Sequence, residues 1–403
     1  MKIGIDIRAL QTGHKFRGIG EVAKQVTNRI LERASADGHK VLFYEYDHDK
    51  DPKDLLIIHK DLTFQVIKQG PMPEADATRT RRDKIYHNLS YLYGSPVKGS
   101  GESDVFLQYD YAFGVPKNTK TILVKHDLIP YVFWDKFFES AWVPFKNKAL
   151  RTTLRTLFAN YKYKRILARS LRDAGLIVSV SESTKRDLQK LLSVPEKKVQ
   201  VVHLGVDTKP SRTDTTAAPG RLPSKPYLLF VGAGDERRRV DDLVSAYNNL
   251  KAEGHDIQLV LVGENFKRPE SIPNKVTRDA VLKSSYKNDI LTLGYVDDAL
   301  KQRLFHESLA FVYPTRYEGF GIPVLEAFLL ETPVITYKNS SLTEVGGDHA
   351  LYVKDWQGIK TAAERLLSEP LTSRKKRIEA AKRYAEAFTW DKTSESIYTI
   401  LSE

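Results

Sequence analysis

The sequence predicts an α/β protein made of two doubly wound, Rossmann-like domains with parallel sheets. The chain has 403 residues, which exceeds the usual size of one hydrophobic core and favours two domains of roughly 200 residues each. Short apolar segments of strand length alternate with helical segments along the chain. Residues 208–226 interrupt this alternation, because they are polar and rich in Pro, Thr and Ser. We therefore predict domains over residues 1–207 and 227–388, joined by that linker.

Composition narrows the class of protein. Hydrophobic residues make up 41% of the chain, and no apolar run reaches the ~20 residues that a membrane span needs. The first ten residues resemble the start of a strand and lack the apolar core of a signal peptide, so the cytoplasm is the expected compartment. The absence of cysteine excludes disulfides and thiolate zinc sites.

The formal net charge of +12 favours partners that carry phosphate. Much of the excess lies at residues 78–84 and 146–172, and apolar residues recur in the second segment at helical spacing. That segment is either a solvated helix packed on its own domain or a helix that contacts the cytoplasmic face of an anionic membrane. No recognition helix or base-stacking motif accompanies the charge, so no nucleic-acid partner is expected.

The first domain begins with a predicted strand at residues 2–8 and a helix that starts near Gly18. Gly18, Gly20 and Ala23 match the G-x-G-x-x-A pattern of dinucleotide sites. That pattern normally follows its strand at once, whereas about nine residues intervene here, so NAD binding and a dehydrogenase are not favoured. The alternative is a glycine loop that lets a substrate approach the backbone closely.

Further strands of the first domain carry polar residues at their ends. They are predicted at residues 40–46, 62–67, 104–109 and 121–125, and residues 175–180 and 198–207 frame a helix that Ser181 or Ser183 caps. Asp47, Asp49 and Asp51 follow the strand at 40–46 in D-x-D patterns, but a solvated turn explains them and no metal site is predicted. His126 follows the strand at 121–125, at the edge where open parallel sheets bind ligands.

The second domain repeats the alternation. Strands are predicted at residues 227–232, 257–262, 290–293, 310–313, 333–337 and 351–353. Arg237, Arg238 and Arg239 stand at a predicted helix start, where positive charge opposes the helix dipole. An anionic partner explains them better than a role within the helix, and arginine binds diphosphate in a bidentate manner. Asp297 or Asp298 is a predicted cap of a later helix.

A glycine loop after the strand at 310–313 carries the clearest functional pattern. Residues 313–334 continue from that strand into a helix that opens at Ile322 and Pro323, where proline is tolerated. Backbone N–H groups and the helix dipole predict a site for phosphate or for a sugar oxygen. The backbone donors are those of Gly319, Phe320, Gly321 and Ile322.

Two carboxylates flank this loop. Glu318 precedes the glycines and Glu326 lies in the first turns of the helix, with seven residues between them. An acid beside an anion site is unfavourable for charge alone, so we expect these side chains to accept hydrogen bonds from hydroxyls. A nucleotide sugar carries both phosphates and hydroxyls and therefore fits the pattern.

The frame YEGFGIPVLEA followed by TPVI resembles the signature of the retaining glycosyltransferases of family 4, which have the GT-B fold. FRGIG at residues 16–20, HDLIP from His126 and LGYVDD from Leu293 resemble further motifs of that family, and several bacterial mannosyltransferases share this form of FRGIG. The resemblance implies two domains that face each other across a cleft. It also implies that residues 389–403 form a last helix that crosses back to the first domain.

The family assigns roles to matching residues. The resemblance implies that Glu318 lies by the donor sugar and its phosphate, that Glu326 holds the ribose, and that His126 lies against the sugar. The resemblance further implies that Arg237 and Arg238 hold the diphosphate, although lysine is usual at the second position and many members have arginine at Ala233. Catalysis is then expected from His126, Glu318, Arg237 and Arg238. The remaining donor-binding residues implied are the loop glycines Gly18 and Gly20 and the base-reading residues Tyr295 and Val296.

The resemblance implies a hexosyltransferase of cell-surface polysaccharide or glycolipid synthesis, with GDP-mannose as the favoured donor and a glycan or lipid-linked acceptor. No metal or other cofactor is expected, because fixed positive charge and helix dipoles can stabilise the leaving diphosphate. A UDP-sugar donor remains an alternative. The alternative from another class is an inactive transferase scaffold that binds membrane or nucleic acid through its basic surface.

Overall fold

A computed structural model describes residues 1–12, 15, 18–47, 51–71, 97–109, 115–116, 118–133, 150–207 and 222–403. Contacts between residues divide the chain into two compact units. The first unit comprises Met1–Leu204 and Trp390–Glu403, and the second comprises Gly205–Thr389. The predicted linker at 208–226 lies largely outside the described residues, and the basic segment at 78–84 lies wholly outside them.

The first unit is built on a seven-stranded parallel sheet with the order β3-β2-β1-β4-β5-β6-β7. Its strands are β1 (Lys2–Asp6), β2 (Lys40–Asp47), β3 (Phe64–Pro71), β4 (Val105–Gln108), β5 (Lys120–Lys125), β6 (Leu176–Ser179) and β7 (Val199–Val201). In the register, Ile3 lies beside Val41 on one side and Val105 on the other. The strand order reverses next to β1, which makes the sheet doubly wound as predicted.

Within the described residues, the first unit contains four longer helices that pack apolar faces on its sheet and one helical turn, at residues 129–132, that has no buried residue. They are α1 (Gly18–Ala36), α2 (Ile129–Val132), α3 (Leu150–Asp173), α4 (Glu182–Leu192) and α12 (Trp390–Ser402). In α1 the residues Val22, Val26 and Ile30 recur every four positions and are fully buried, as an amphipathic helix requires. The C-terminal helix α12 is fastened to α1, because Arg29 Nε donates to Asp391 Oδ1 over 2.5 Å.

The second unit is built on a six-stranded parallel sheet with the order β10-β9-β8-β11-β12-β13. Its strands are β8 (Tyr227–Val231), β9 (Gln258–Val262), β10 (Ile290–Gly294), β11 (Ala310–Tyr313), β12 (Val334–Tyr337) and β13 (Leu351–Val353). The central strands are buried on both faces, which explains their almost continuous apolar sequences. The predicted α/β class with two doubly wound parallel sheets is confirmed.

Seven helices in the described part of the second unit cover the faces of its sheet or pack on one another. They are α5 (Val240–Ala252), α6 (Lys275–Leu282), α7 (Asp298–His306), α8 (Ile322–Leu329), α9 (Leu342–Gly346), α10 (Trp356–Ser368) and α11 (Leu371–Ala385). Helix α10 packs on α5, and α11 packs on α8. Among the residues that the structure describes, no helix has both the length and the apolar composition needed to cross a bilayer.

The structure decides between the two candidate caps at each of two helices. Ser181, and not Ser183, caps α4, because its side chain accepts a hydrogen bond from the Thr184 N–H over 3.0 Å. Asp297, and not Asp298, caps α7 by accepting from the Leu300 N–H over 2.7 Å. In the D-x-D segment, Asp51 caps a short 3-10 helix, and Asp49 lies outside the described residues.

Three glycines lie at the carboxyl ends of neighbouring strands in the second sheet. Gly232 and Gly263 follow β8 and β9 directly, and Gly294 ends β10. The Gly263 N–H donates to the Gly294 carbonyl over 2.8 Å, and a Cβ at Gly263 would lie 2.0 Å from the Gly232 oxygen. Gly263 also has φ 141° and ψ 159°, a conformation that is essentially restricted to glycine. This edge is therefore too tightly packed to accept a side chain at Gly263.

Replacing Gly263 with alanine is expected to lower the free energy of unfolding by about 4 kcal/mol, because strain and a backbone clash add. Gly254→Ala is the matched control, since Gly254 also has a positive φ of 93° but its Cβ would meet open space. The control is expected to cost only about 1 kcal/mol. Urea unfolding of both variants measures the difference, and equal losses would contradict the close approach.

Candidate active site

The charged centre of the second unit is the side chain of Glu318, which follows β11 and is 8% exposed. Arg237, from the turn after β8, donates through Nη1 to Glu318 Oε1 over 2.5 Å. The same Nη1 lies 3.0 Å from Thr315 Oγ1 and also contacts the Tyr317 carbonyl. The loops after β8 and β11 are therefore joined by a buried ion pair.

Tyr313 connects the second arginine to the same carboxylate. Arg238 Nη1 donates to the Tyr313 hydroxyl over 2.7 Å, and this hydroxyl donates to Glu318 Oε1 over 2.9 Å. The Arg238 guanidinium also lies 5.4 Å from the centre of the Tyr313 ring, within the range of a cation–π contact. The phenol at the end of β11 thus links Arg238 to Glu318.

The pKa shifts follow from burial opposed by opposite charge. Burial alone would raise the pKa of Glu318, but the charges of Arg238 and Arg237, with the hydrogen bonds from Arg237 and Tyr313, hold it below its usual value. Burial would lower the pKa of Arg238, yet Tyr313, Glu318 and Asp235 keep it above its usual value. At neutral pH the cluster therefore contains two guanidinium groups and an ionised Glu318.

The hydrogen bonds of the two arginines involve only some of their side-chain nitrogens. Both guanidinium groups are held by hydrogen bonds through Nη1, and Arg238 Nε adds one to Asp235 Oδ2 over 3.3 Å. Within the described residues, neither Nη2 atom makes a hydrogen bond, and Arg238 Nη2 is 3.8 Å from Glu318 Oε1. This geometry offers two fixed cationic donors to an anion such as diphosphate.

The glycine loop leads into α8 as predicted. Gly321 has φ 110° and is the cap residue of α8, which begins at Ile322 with proline in its first turn. No side chain caps this helix, so its first N–H groups are left to other partners. A Cβ at Gly321 would lie 3.1 Å from Val345 Cγ2, so the approach of α9 also favours glycine here.

Glu326 projects from α8 and has a partner that the sequence analysis missed. Lys301 Nζ on α7 lies 3.2 Å from Glu326 Oε1 and 3.3 Å from Asp298 Oδ1. Burial would lower the pKa of Lys301, but the charges of Glu326 and Asp298 raise it above its usual value. The LGYVDD segment leads into α7, which carries Lys301, but sequence spacing alone did not pair it with Glu326.

The predicted base-reading residues lie where β10 ends. Tyr295 follows Gly294 directly and is 72% exposed, whereas Val296 is 7% exposed. An exposed tyrosine at the carboxyl end of a parallel strand provides a flat surface for a ligand. The same edge of the sheet carries Arg237 and Arg238 after β8 and Glu318 after β11.

The structure corrects the interpretation of the arginine run. Arg237 and Arg238 lie in a 3-10 turn, Glu236–Arg238, and Arg239 is the cap residue of α5 with φ 45°. Arg239 Nη2 contacts Asp242 Oδ1 at 2.6 Å and Asp241 Oδ2 at 3.0 Å, both in the first turn of α5. The argument that arginine has no structural role at this helix start is therefore wrong for Arg239.

The remaining predicted site residues belong to the first unit. His126 follows β5, is half-buried, and its carbonyl accepts a hydrogen bond from Thr184 Oγ1 over 3.4 Å. Gly18 and Gly20 lie in the first turn of α1, and a Cβ at Gly18 would meet no atom within 4 Å. The first two residues of the FRGIG motif, at 16 and 17, lie outside the described residues.

One group of side chains in the described part of the chain has spacing suited to a metal ion: Glu253, His255 and Glu364. The ammonium group of Lys360 already lies 2.8 Å from Glu253 Oε2 and 3.0 Å from Glu364 Oε1. A lysine between these carboxylates supplies the positive charge that a cation would bring. The group is therefore explained as a surface ion-pair cluster.

Two family models match the chain. The model "Glycosyltransferase Family 4" matches residues 104–210, and "Glycosyl transferases group 1" matches residues 211–384. HepE from Anabaena, solved in complex with UDP and glucose, superposes with a TM-score of 0.64 at 14% identity, over 100% of this chain and 99% of HepE. At this identity the likeness concerns the fold alone, which is the GT-B fold.

Two curated relatives are bacterial mannosyltransferases. O-antigen chain mannosyltransferase B from Escherichia coli is 28% identical over 232 residues, which cover 56% of this chain and 60% of that protein. The serotype-specific mannosyltransferase WbdA from Escherichia coli is 24% identical over 420 residues, covering 98% of this chain and 47% of WbdA. The matched part is thus less than two thirds of the length of either relative.

Replacing Glu318 with Gln is expected to lower the free energy of unfolding at pH 7 by about 3 kcal/mol, because two buried guanidinium groups lose their carboxylate. Since the folded-state pKa of Glu318 is lowered, its stabilisation is present above the ordinary value of 4.5 and is lost as the pH falls through the folded pKa. The difference between wild type and variant should therefore stay constant from pH 7 to about pH 4.5 and shrink as the pH is lowered further.

Urea unfolding across this pH range measures the effect. Glu307→Gln is the matched control, because Glu307 forms an exposed ion pair with Arg303 in the same unit. A constant difference between wild type and Glu318→Gln at all pH values would contradict the charged state assigned to Glu318.

Proposed function

The chain belongs to the GT-B glycosyltransferases of family 4 and group 1, and from this premise we propose that it is a retaining hexosyltransferase that uses GDP-mannose. One observation carries the proposal: the guanidinium groups of Arg237 and Arg238 are held by Glu318 and Tyr313, and Glu318 directly precedes the glycine loop. This arrangement suits a sugar diphosphate, because cationic donors and backbone N–H groups face the leaving group while a carboxylate faces sugar hydroxyls.

In the proposed reaction the bond from the anomeric carbon to the diphosphate oxygen breaks, and the acceptor oxygen bonds to the same face of that carbon. The departing phosphate oxygen takes the proton of the acceptor hydroxyl. Arg237 and Arg238 stabilise the negative charge that develops on the diphosphate. Glu318 and His126 orient the sugar and stabilise positive character at the anomeric carbon, and Glu326 binds the ribose.

Two sources support different donors. The curated relatives are mannosyltransferases of Escherichia coli, which favours mannose carried by GDP. The HepE structure contains UDP and glucose, and this supports a UDP-sugar as the second candidate. We propose that Gly18 and Gly20 line the sugar side and that the backbone at Tyr295 and Val296 contacts the base. The acceptor is proposed to be a glycan or a lipid-linked sugar of cell-surface polysaccharide synthesis.

GDP is expected to stabilise the protein against thermal unfolding more than UDP or ADP does, with EDTA as well as with magnesium. At 100 times its dissociation constant a ligand adds about 2.7 kcal/mol. Arg238→Gln should abolish the shift, whereas Arg303→Gln, at an exposed ion pair of the same unit, should retain it. If UDP alone stabilises the protein, the donor is a UDP-sugar and not GDP-mannose. The release of nucleotide from the corresponding sugar donor is then measured to complete the test.

No thermal shift and no turnover with any nucleotide sugar would contradict the proposed activity. Such a result would favour an inactive GT-B scaffold. A shift that appears only with magnesium would instead contradict the proposal that no metal is required.

We also propose that α3 docks on an anionic membrane. Leu157, Phe158 and Tyr161 expose 50%, 42% and 55% of their surface, and basic residues accompany them on this helix. Further along, Leu167 and Leu171 are buried in the first unit, so this part of α3 is anchored. Apolar side chains exposed on a basic helix suit insertion at the level of lipid headgroups.

The protein is expected to sediment with phosphatidylglycerol vesicles at low salt, but not with phosphatidylcholine vesicles. Raising the salt should weaken this binding, because the Debye length is only about 10 Å at 0.1 M. Leu157→Ser combined with Phe158→Ser should reduce it, whereas Leu191→Ser, on the exposed part of α4, should not. Equal sedimentation with both lipids, or none, would contradict docking through α3.

A further inference from the structure

The hydroxyl of Ser341 forms hydrogen-bond contacts with the backbone of the glycine loop. Ser341 Oγ lies 2.7 Å from the Phe320 carbonyl oxygen and 2.9 Å from the Glu318 carbonyl oxygen. Ser341 is fully buried and precedes α9. The single proton of this hydroxyl is therefore shared between the carbonyl groups of Glu318 and Phe320, which are two residues apart in the loop.

These contacts determine where two N–H groups of the loop point. No peptide bond among the described residues is cis, and in a trans peptide the C=O and the following N–H point in opposite directions. The carbonyls of Glu318 and Phe320 point to Ser341, so the N–H groups of Gly319 and Gly321 point away from it. Both donors are therefore directed to the same side of the loop.

Helix capping does not explain this serine. Ser341 is the cap residue of α9, yet its side chain makes no capping hydrogen bond, and only its carbonyl accepts from the N–H groups of Glu344 and Val345. Replacing the hydroxyl would thus leave the backbone bonds of α9 in place. The side chain is directed entirely at the glycine loop.

The two residues before Ser341 extend the same support. Ser340 Oγ accepts from the Glu318 N–H over 3.0 Å, and Asn339 Nδ2 donates to the Thr315 carbonyl over 3.0 Å. Ser340 has φ 42°, a left-handed conformation that is unfavourable for serine. Strain of this kind persists where the surroundings enforce it, as they do at functional sites.

We infer that Ser341 is a positioning residue, which holds the glycine loop so that the Gly321 N–H group is aimed at an oxygen atom of the bound sugar diphosphate. The inference rests on the proposed glycosyl transfer, and it assigns a role to a residue outside the Glu-x7-Glu frame. The expected effect falls on kcat, because misaligned donors stabilise the developing negative charge of the leaving group less well.

The test compares Ser341→Ala with Ser308→Ala. Ser308 is the matched control, because it is 1% exposed in the same unit and its hydroxyl also donates to a backbone carbonyl, that of Phe305 over 2.8 Å. It precedes β11 and so lies at the opposite end of that strand from the glycine loop. With the donor sugar nucleotide, Ser341→Ala should lower kcat about 10- to 100-fold with a smaller change in KM, and Ser308→Ala should leave both near wild type.

Hydrogen–deuterium exchange of the peptide spanning residues 315–325 gives a second measurement that needs no activity. Exchange should be faster in Ser341→Ala than in wild type or Ser308→Ala, since the loop loses the hydroxyl donor that two of its carbonyls share. Unchanged exchange, or a kcat within about twofold of the control, would overturn the inference. If wild-type protein transfers no sugar, the proposed function fails, and the exchange result alone then decides whether Ser341 positions the loop.

A cysteine variant keeps the test decisive if Ser341→Ala does not fold. Ser341→Cys retains a donor that is weaker than a hydroxyl. It should also lower kcat and speed exchange, but by less than Ser341→Ala does. If both kcat and exchange equal those of wild type, the inference is overturned.

Discussion

The site depends on keeping a carboxylate ionised where water hardly reaches it. An unpaired charge at the position of Glu318, in the loop after β11, would be costly. The fold therefore brings Arg237 and Arg238 to it from the loop after β8, and the Tyr313 hydroxyl from the end of β11. These loops follow β8 and β11, which are neighbours in the sheet although about 80 residues separate them in the chain. Pairing Glu318 therefore also fixes the position of the two cationic groups that we propose bind the diphosphate.

The backbone around this cluster leaves little room for added side chains. Gly263 approaches the Gly232 carbonyl, and Gly321 adopts a positive φ where α8 begins. The hydroxyl of Ser341 then holds two carbonyls of the loop from the side opposite to its N–H donors. Side chains supply charge and backbone supplies N–H groups, and both are held before a ligand arrives, which is the condition for electrostatic stabilisation of a leaving group.

Much of this architecture could be predicted from the sequence, because strand and helix periods are local properties. The strand at 310–313, the opening of α8 at Ile322 and the importance of Glu318 followed from adjacent residues. The roles of Tyr313, Ser341 and Lys301 did not, because each depends on a partner from another element whose distance no periodicity encodes. Arg239 was misjudged for the opposite reason: its partners Asp241 and Asp242 stand in the same helix turn, and counting positive charge overlooked them.

A double-mutant cycle between Glu318 and Arg238 tests the central claim most directly. Donor kcat/KM would be measured for wild type, Glu318→Gln, Arg238→Gln and the double variant. If the two side chains act as one unit in binding and stabilising the diphosphate, the losses will not add, and the coupling will be at least about 1 kcal/mol. Losses that add within about 0.3 kcal/mol would mean that the two residues act independently, and the account given for this site would be wrong.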